Sequence, residues 1–481
     1  MVHAIVNRTC AACLLALLGA AGCVNVDARP DYDRTAALIR GQTDQPETYL
    51  PGADEATLRA AVAAMLQDGV TADEAVRIAL LHNPKLQSLF YEVGVSRADV
   101  VQAGLPSNPS AGISVQFPSV RAIDGVGLLT KISASVSQNI VDLLLIPIRK
   151  KIAETQLEQT QLTVANQAVE LIGDVKRTYY QLLGLQKAEA ILTEDLELAR
   201  RSVSLAQRRQ EAGEASKIDV DLARADALDV ERQRLEVRRD SEVLQARLAG
   251  LLGVSRWEGT WRLTDELPPP ASLADAKTLW ETAARQRLDL RVARLRIGVA
   301  EQQVALEQWS VIPNIDIGAE GERAEAPPNF VGPTVGATLP LWHQNQAQIA
   351  RMRMVADGQK RQYEAALDTA AEDVRRAIAA ALANAQLVRF YNEQTLPLGR
   401  ENVESTRRAY EGGQADILRL TQAQRFLIAQ QRTYVAVLRD YAVALADLEQ
   451  AVGGRIQGDA PSAPPPQTSP EGTPGSAPRP Q

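Results

Sequence analysis

Cysteine is confined to positions 10, 13 and 23 of a 481-residue chain, so the body has neither a disulfide framework nor a cysteine-built metal site. Histidine is almost as scarce: His82 and His343 lie far apart and read as surface or partly buried polar residues rather than ligands. Met352 and Met354 stand two apart in a helical stretch, point to different sides and read as packing. No Gly-x-Ser-x-Gly elbow, phosphate-cradling glycine loop or paired-histidine motif occurs, so no catalytic, cofactor or metal site is assigned. Aromatic residues make up only 4%, while Ala, Leu, Gln, Glu and Arg dominate, which favours long helices over several compact domains. Neither sign of charge is gathered: 52 basic and 59 acidic residues intermingle for a net charge of −7. Pairs such as Arg200-Arg201 and Arg407-Arg408 read as solvated helix faces, and nucleic acid is excluded as a partner.

What is present begins with a leader. Arg8 precedes an apolar run of about a dozen residues, a secretory signal too short to span a bilayer as a helix. It closes on Ala20-Ala-Gly-Cys23, which resembles a bacterial lipoprotein box with Ala in place of the usual Leu. This makes residues 1–22 the signal and Cys23 the lipid anchor; ordinary cleavage nearby, with Cys23 incidental, is the alternative. No aspartate follows Cys23, which favours the outer membrane. Residues 23–70 read as an irregular anchored segment with one helical run near Asp54–Leu66.

The body is written twice. Gly213–Gly253 and Gly413–Gly453 align without a gap, with Arg232, Arg239, Asp240 and Leu248 facing Arg432, Arg439, Asp440 and Leu448. Each copy is one supersecondary unit, residues 71–254 and 272–454, joined by a linker at 255–271. Thr71-Ala-Asp-Glu74 is a capping box opening a helix expected to run to Ala103, through Asn83-Pro84. Its counterpart is expected over Ser272–Gln308.

The period then changes to two. Ala111, Ile113, Val115 and Phe117 alternate with small or polar residues, as do Ile132, Ala134 and Val136. In the second copy Ile315, Ile317 and Ala319, then Val335, Ala337, Leu339 and Leu341, do the same. Strands are expected at about 110–118, 129–139, 313–321 and 333–342. In a membrane barrel this alternation means lipid on one face and water on the other, at roughly ten residues per crossing. Trp309 and Trp342 flank the second pair and suit a lipid–water boundary, or equally a packed helix–strand junction.

From Ile148 to Ala212 no proline occurs, and apolar residues step by threes and fours from Leu162 to Leu182. At 1.5 Å per residue such a helix reaches on the order of 100 Å, wider than any globular core. Its counterpart is expected over Asn345–Glu411, kinked by Pro397. Shorter return helices are expected over Ser216–Leu252 and Asp416–Val452, followed by a disordered proline-rich tail at 455–481.

This order and duplication resemble the TolC family of outer-membrane efflux proteins, in its lipoprotein branch, over residues 71–454. The motifs are the strand pairs, the Leu339-Pro-Leu-Trp342 exit, and the turns Glu211-Ala-Gly213 and Tyr410-Glu-Gly-Gly413. The implied fold is mainly α with a membrane β-barrel contribution: two helix–strand–strand–long helix–helix repeats per protomer. The resemblance implies a homotrimer whose twelve-stranded barrel sits in outer-membrane lipid, a closed form the bilayer demands. A periplasmic α-helical tunnel would meet an adaptor (membrane fusion protein) and an inner-membrane RND-type pump, making the chain the outer-membrane channel of tripartite efflux. A type I protein exporter and a periplasmic coiled-coil scaffold are the other readings, the strands weighing against the scaffold.

The resemblance also implies a periplasmic gate. Counted from Gly213 and Gly413, Asp219 and Tyr410 fall on the family's acid and tyrosine, but its arginine is Ala415 here. Asp416 and Arg419 are the substitutes at hand. The exit Val141–Pro147 after the second strand is a few residues longer than its counterpart at Leu341.

Overall fold

The computed structural model describes residues 25–43, 45–67, 69–116, 131–256, 261–324 and 330–455. Cys23 and nearly all of the proline-rich tail lie outside the described residues.

The chain ahead of the first repeat is more ordered than expected. Besides α2 (Glu55–Gln67), it forms α1 (Arg29–Thr43), whose Pro30 sits in the first turn, where a missing N–H costs nothing. Asp31 on α1 is buried and takes Arg97 at 2.5 Å and Gln161 at 3.1 Å, tying this helix to the first repeat.

Each helix expected ahead of the strands is in fact two. The first is α3 (Ala72–His82) and α4 (Pro84–Ala103), because Pro84 drives Asn83 out of helical geometry to ψ 115°. Asn83 then caps α4, accepting from Leu86 N and donating to Leu251 O at 2.8 Å. The second is α7 (Ala276–Gln286) and α8 (Leu288–Trp309), broken at Arg287 with ψ 119° and no proline. Tertiary contact makes that break. Arg287 reaches Asp289, Asp373 and Ala451 O, and its backbone packs on Gly453. Gly253 packs likewise on His82 and Pro84; both glycines have positive φ (76° and 91°), so a Cβ at either would be strained and would strike backbone.

The strands are β1 (Ser110–Gln116), β2 (Lys131–Asn139), β3 (Ile315–Ala324) and β4 (Phe330–Ala337), in one antiparallel sheet of order β1-β2-β3-β4. The last strand lies nearer the loop than expected, and Leu339–Trp342 fall outside it in an irregular exit containing Pro340.

After β2 the chain enters α5 (Val141–Glu211) directly. The long exit expected at Val141–Pro147 is therefore the first turns of a 71-residue helix. The return helix α6 (Lys217–Leu252) lies against α5, as α11 (Ile417–Val452) lies against α9 (Gln346–Phe390) and α10 (Leu396–Glu411). Between α9 and α10 lies a π-turn, Tyr391–Thr395, just ahead of Pro397, whose nitrogen cannot donate to the helix ladder. Gly173 and Gly184 let α11 come close to α5, since a Cβ at either would meet Gln450 or Arg439. Tyr179 and Tyr441 are fully buried beneath the inter-repeat linker, with Tyr179 donating to Val70 O at 2.8 Å and Tyr441 accepting from Ala271 N at 2.9 Å.

Candidate functional site

The register of the sheet sorts the alternating residues onto two faces. Residues directly opposite in an antiparallel ladder share a face. Ile113 faces Ala134, Val115 faces Ile132, Val136 faces Ala319, and Ile317 faces Val335. The other face pairs Ser114 with Ser133, Ser135 with Glu320, and Gly318 with Thr334. Hydroxyl ladders run along it, with Ser110–Ser137 and Ser114–Ser133 both at 2.9 Å, beside a Lys131–Glu322 ion pair at 2.9 Å. Gln138, Arg323 and Phe330 break the sorting, all near strand ends. Within the chain the apolar face is bare: Ile113 is 80% exposed and Val335 72%. In water that costs free energy, and in a bilayer it does not. Among the described residues β1 and β4 each keep one unpaired edge. Trp309 and Trp342, both exposed, stand where the helices meet the sheet.

The opposite end is formed by the two helical turns. Gly213 and Gly413 have φ of 77° and 70°, the left-handed geometry that ends a helix tightly. Asp219 is held in its own repeat: it accepts from Ser216 N and Oγ, both at 2.8 Å, in a capping box. Those bonds, the backbone one first, hold its carboxyl below the usual carboxylate range. Tyr410 is exposed, and among the described residues its hydroxyl makes no hydrogen bond, so Asp219 and Tyr410 are not joined within one chain. Asp416 begins α11 without capping it and instead meets Arg209 of the first repeat at 3.6 Å. Among the described residues the Arg419 side chain forms no hydrogen bond or ion pair; its N–H donates to Asp416 O.

A further link between repeats lies above the tip and was not foreseen. Arg425 of α11 reaches Asp226 of α6 and stands 3.7 Å from Asp195 of α5. Asp195 Oδ1 and Arg425 Nε are buried and form no hydrogen bond there. Burial pushes the Asp195 carboxyl up, more than Arg425 and Arg432 pull it down. One heptad along, Arg432 meets Gln233. The heptad step from Asp226 to Gln233, matched by Arg425 to Arg432, is the one sequence signal that could have exposed this clasp. Leu192, Leu196, Ala199 and Val230 form an apolar cluster beside it that belongs to α5 and α6 alone.

Among the described residues no cluster of His, Cys, Asp or Glu could hold a metal ion, and no helix is long and apolar enough to cross a membrane.

The outer membrane efflux protein model matches residues 75–254 and 279–454, once over each repeat. Protein CyaE of Bordetella pertussis is 30% identical over 417 residues, 81% of this chain and 86% of that protein. The pyoverdine export outer membrane protein OpmQ of Pseudomonas putida is 24% identical over 322 residues, 64% of this chain and 66% of that one. The solved outer membrane protein VceC of Vibrio cholerae shares the fold with a TM-score of 0.65 at 18% identity, covering 80% of this chain and 96% of that chain.

Proposed function

The chain belongs to the outer membrane efflux protein family, matched over both repeats, and on that footing we propose that it is the exit duct of a tripartite efflux system. The family is a channel of the outer membrane and not an enzyme. The observation that carries the reading is the sheet: four strands with one apolar and one polar face, and two edges left open. Open edges are not tolerated in lipid, and four strands cannot close a barrel. Three copies joined β1 to β4 give twelve strands, lipid on the Ile113 face and water on the Ser133 face. The helices, about 100 Å long by their rise per residue, form the periplasmic duct toward an adaptor and an RND-type pump. The two repeats, residues 71–254 and 272–454, supply equivalent walls. Reconstituted trimers are expected to conduct ions across a planar bilayer; assembled trimers that never conduct would overturn the channel reading.

Cys23 is the proposed lipid anchor. An acyl chain adds about 0.8 kcal/mol per buried methylene, so it assists the barrel rather than replacing it. Mass spectrometry should find an acylated N-terminus at Cys23, and Cys23→Ser should weaken sorting while leaving trimers that insert. A mature chain starting elsewhere, unmodified, removes the anchor.

The turns at Gly213 and Gly413 are the proposed periplasmic gate, with Asp219, Tyr410, Asp416 and Arg419 as its residues. The Arg209–Asp416 pair supports a latch whose charges are exchanged between repeats relative to the family's pattern. Both side chains are substantially exposed, so each copy contributes at most about 1 kcal/mol. Asp416→Asn is expected to raise single-channel conductance in assembled trimers, and Asp219→Ala to do so through loss of the α6 cap. Unchanged conductance in both, and in Tyr410→Phe, would place the gate elsewhere.

A further inference from the structure

We propose that the junction between sheet and helices is a docking surface for anionic phospholipid of the periplasmic leaflet, built by both repeats. The inference rests on the barrel reading above. Six large apolar side chains stand exposed at this junction: Leu143 and Leu144 in the first turn of α5, Trp309 at the end of α8, and Leu339, Leu341 and Trp342 in the exit from β4. Trp342 is 87% exposed and Leu339 71%, values that no core residue shows. The belt adjoins the helical end of the sheet, where the apolar face ends at Ile317 and Val335.

Basic residues follow in both repeats. In the first repeat Lys150 and Lys151, both exposed, come six to eight residues after the leucines, about 10 Å along the helix at 1.5 Å per residue. In the second, exposed Arg351 and Arg353 follow Trp342 within the first turns of α9, and no carboxylate occurs between Leu339 and Ala356. Arg149 lines a crevice of about 510 Å³ between α4 and α5, where its buried Nε has no hydrogen-bond partner among the described residues. The only acid between Val141 and Lys151 is Asp142, which already holds Arg149 at 2.8 Å.

A bilayer presents the same sequence of chemistries. Its hydrocarbon core gives way to a headgroup layer a few ångströms deep, where phosphates sit. Leucine and tryptophan at the acyl boundary, followed by lysine and arginine whose long side chains can reach back to the headgroups, match that order. A protein partner would not require the same order of apolar, then basic, residues in both repeats. The helical start at Val141–Pro147 gains a purpose: it turns Leu143 and Leu144 outward and carries Lys150 and Lys151 to phosphate depth.

Tryptophan quenching tests this in the full mature chain. In a Trp309→Phe background, trimers are reconstituted in vesicles of phosphatidylcholine and phosphatidylglycerol, with bromine on one lipid or the other. With Trp257, Trp261 and Trp280 still present, the Trp342 signal is the difference from the Trp309→Phe/Trp342→Phe protein; it should be quenched, and brominated phosphatidylglycerol should quench it more than twofold better at equal mole fraction. Each basic residue near an anionic surface contributes about fivefold in affinity. Lys150→Gln/Lys151→Gln/Arg351→Gln/Arg353→Gln, all exposed positions, should therefore abolish the preference while conductance persists. Conducting trimers with no quenching by either lipid would overturn the docking surface and leave the channel standing. A preference unchanged in the four-charge variant would also overturn it. Loss of both insertion and conductance in the parent protein would overturn the barrel reading and this inference with it.

Discussion

Val335→Arg and Ile113→Arg should sharply reduce trimer assembly in the outer membrane, while Thr334→Arg and Ser114→Arg are tolerated. The two members of each pair are sequence neighbours with opposite faces, because side chains alternate along a strand. An arginine facing lipid costs about 2–4 kcal/mol near the bilayer centre and less toward the interface. Val335 lies toward the helical end of its strand, so its effect should be the smaller of the two. Symmetry repeats the penalty in every copy, which makes this the largest effect expected from a surface residue. The check is the share of protein recovered as unheated trimer in outer-membrane fractions. Equal tolerance of all four substitutions would mean the Ile113 face does not meet lipid.

Arg425→Ala should be the most damaging single change below the barrel. It strips the neighbouring cation from Asp195, whose side chain is only 12% exposed. Removing one partner of a buried ion pair costs about 3–5 kcal/mol when burial is complete, and the partial exposure of Arg425 lowers the expectation to about 3 kcal/mol. The sign with pH follows from the carboxyl, which burial already pushes up in the wild-type chain. A group raised in the folded state favours folding when protonated, so its contribution is fully present below the unfolded value and lost as pH rises through the folded one. The variant should therefore match the wild-type Tm in acid and fall behind as pH rises. Asp195→Asn placed in the Arg425→Ala background should restore stability and flatten the dependence. A constant deficit at every pH would assign the effect to lost packing instead.

Much of this architecture can be read without coordinates because it is periodic. The gapless match of Gly213–Gly253 to Gly413–Gly453, the two-residue alternation around Ile113 and Ile317, and the proline-free run to Ala212 each report a local preference repeated many times. Pro397 also announces itself, since far inside a helical run a missing N–H removes a ladder bond that an early-turn proline does not; the structure answers with the π-turn at Tyr391–Thr395. The break at Asn83 was legible too, because Pro84 disfavours helical geometry at its predecessor, and the unbroken helix expected there underweighted that signal. α1 was hidden by its polar composition, which looks irregular until Asp31 is seen pairing with Arg97.

The sequence by itself determined what depends on nearest neighbours along the chain: the doubled unit, the helix and strand periods, the glycine turns and the capping box at Thr71. Tertiary structure alone decided what depends on which helices become neighbours. Arg287 carries no helix-breaking chemistry, and its helix ends where that residue reaches Asp289, Asp373 and Ala451 O and Gly453 packs against its backbone. Asp219 and Tyr410 both lie within six residues of the aligned glycines in sequence, yet Ser216 takes the carboxylate, and Arg209 takes Asp416. The Asp195–Arg425–Asp226 clasp joins residues up to 230 positions apart. Charged side chains are long and exposed ones choose among several partners at little cost, so local pattern cannot select between them; packing, which sets distance and dielectric, does.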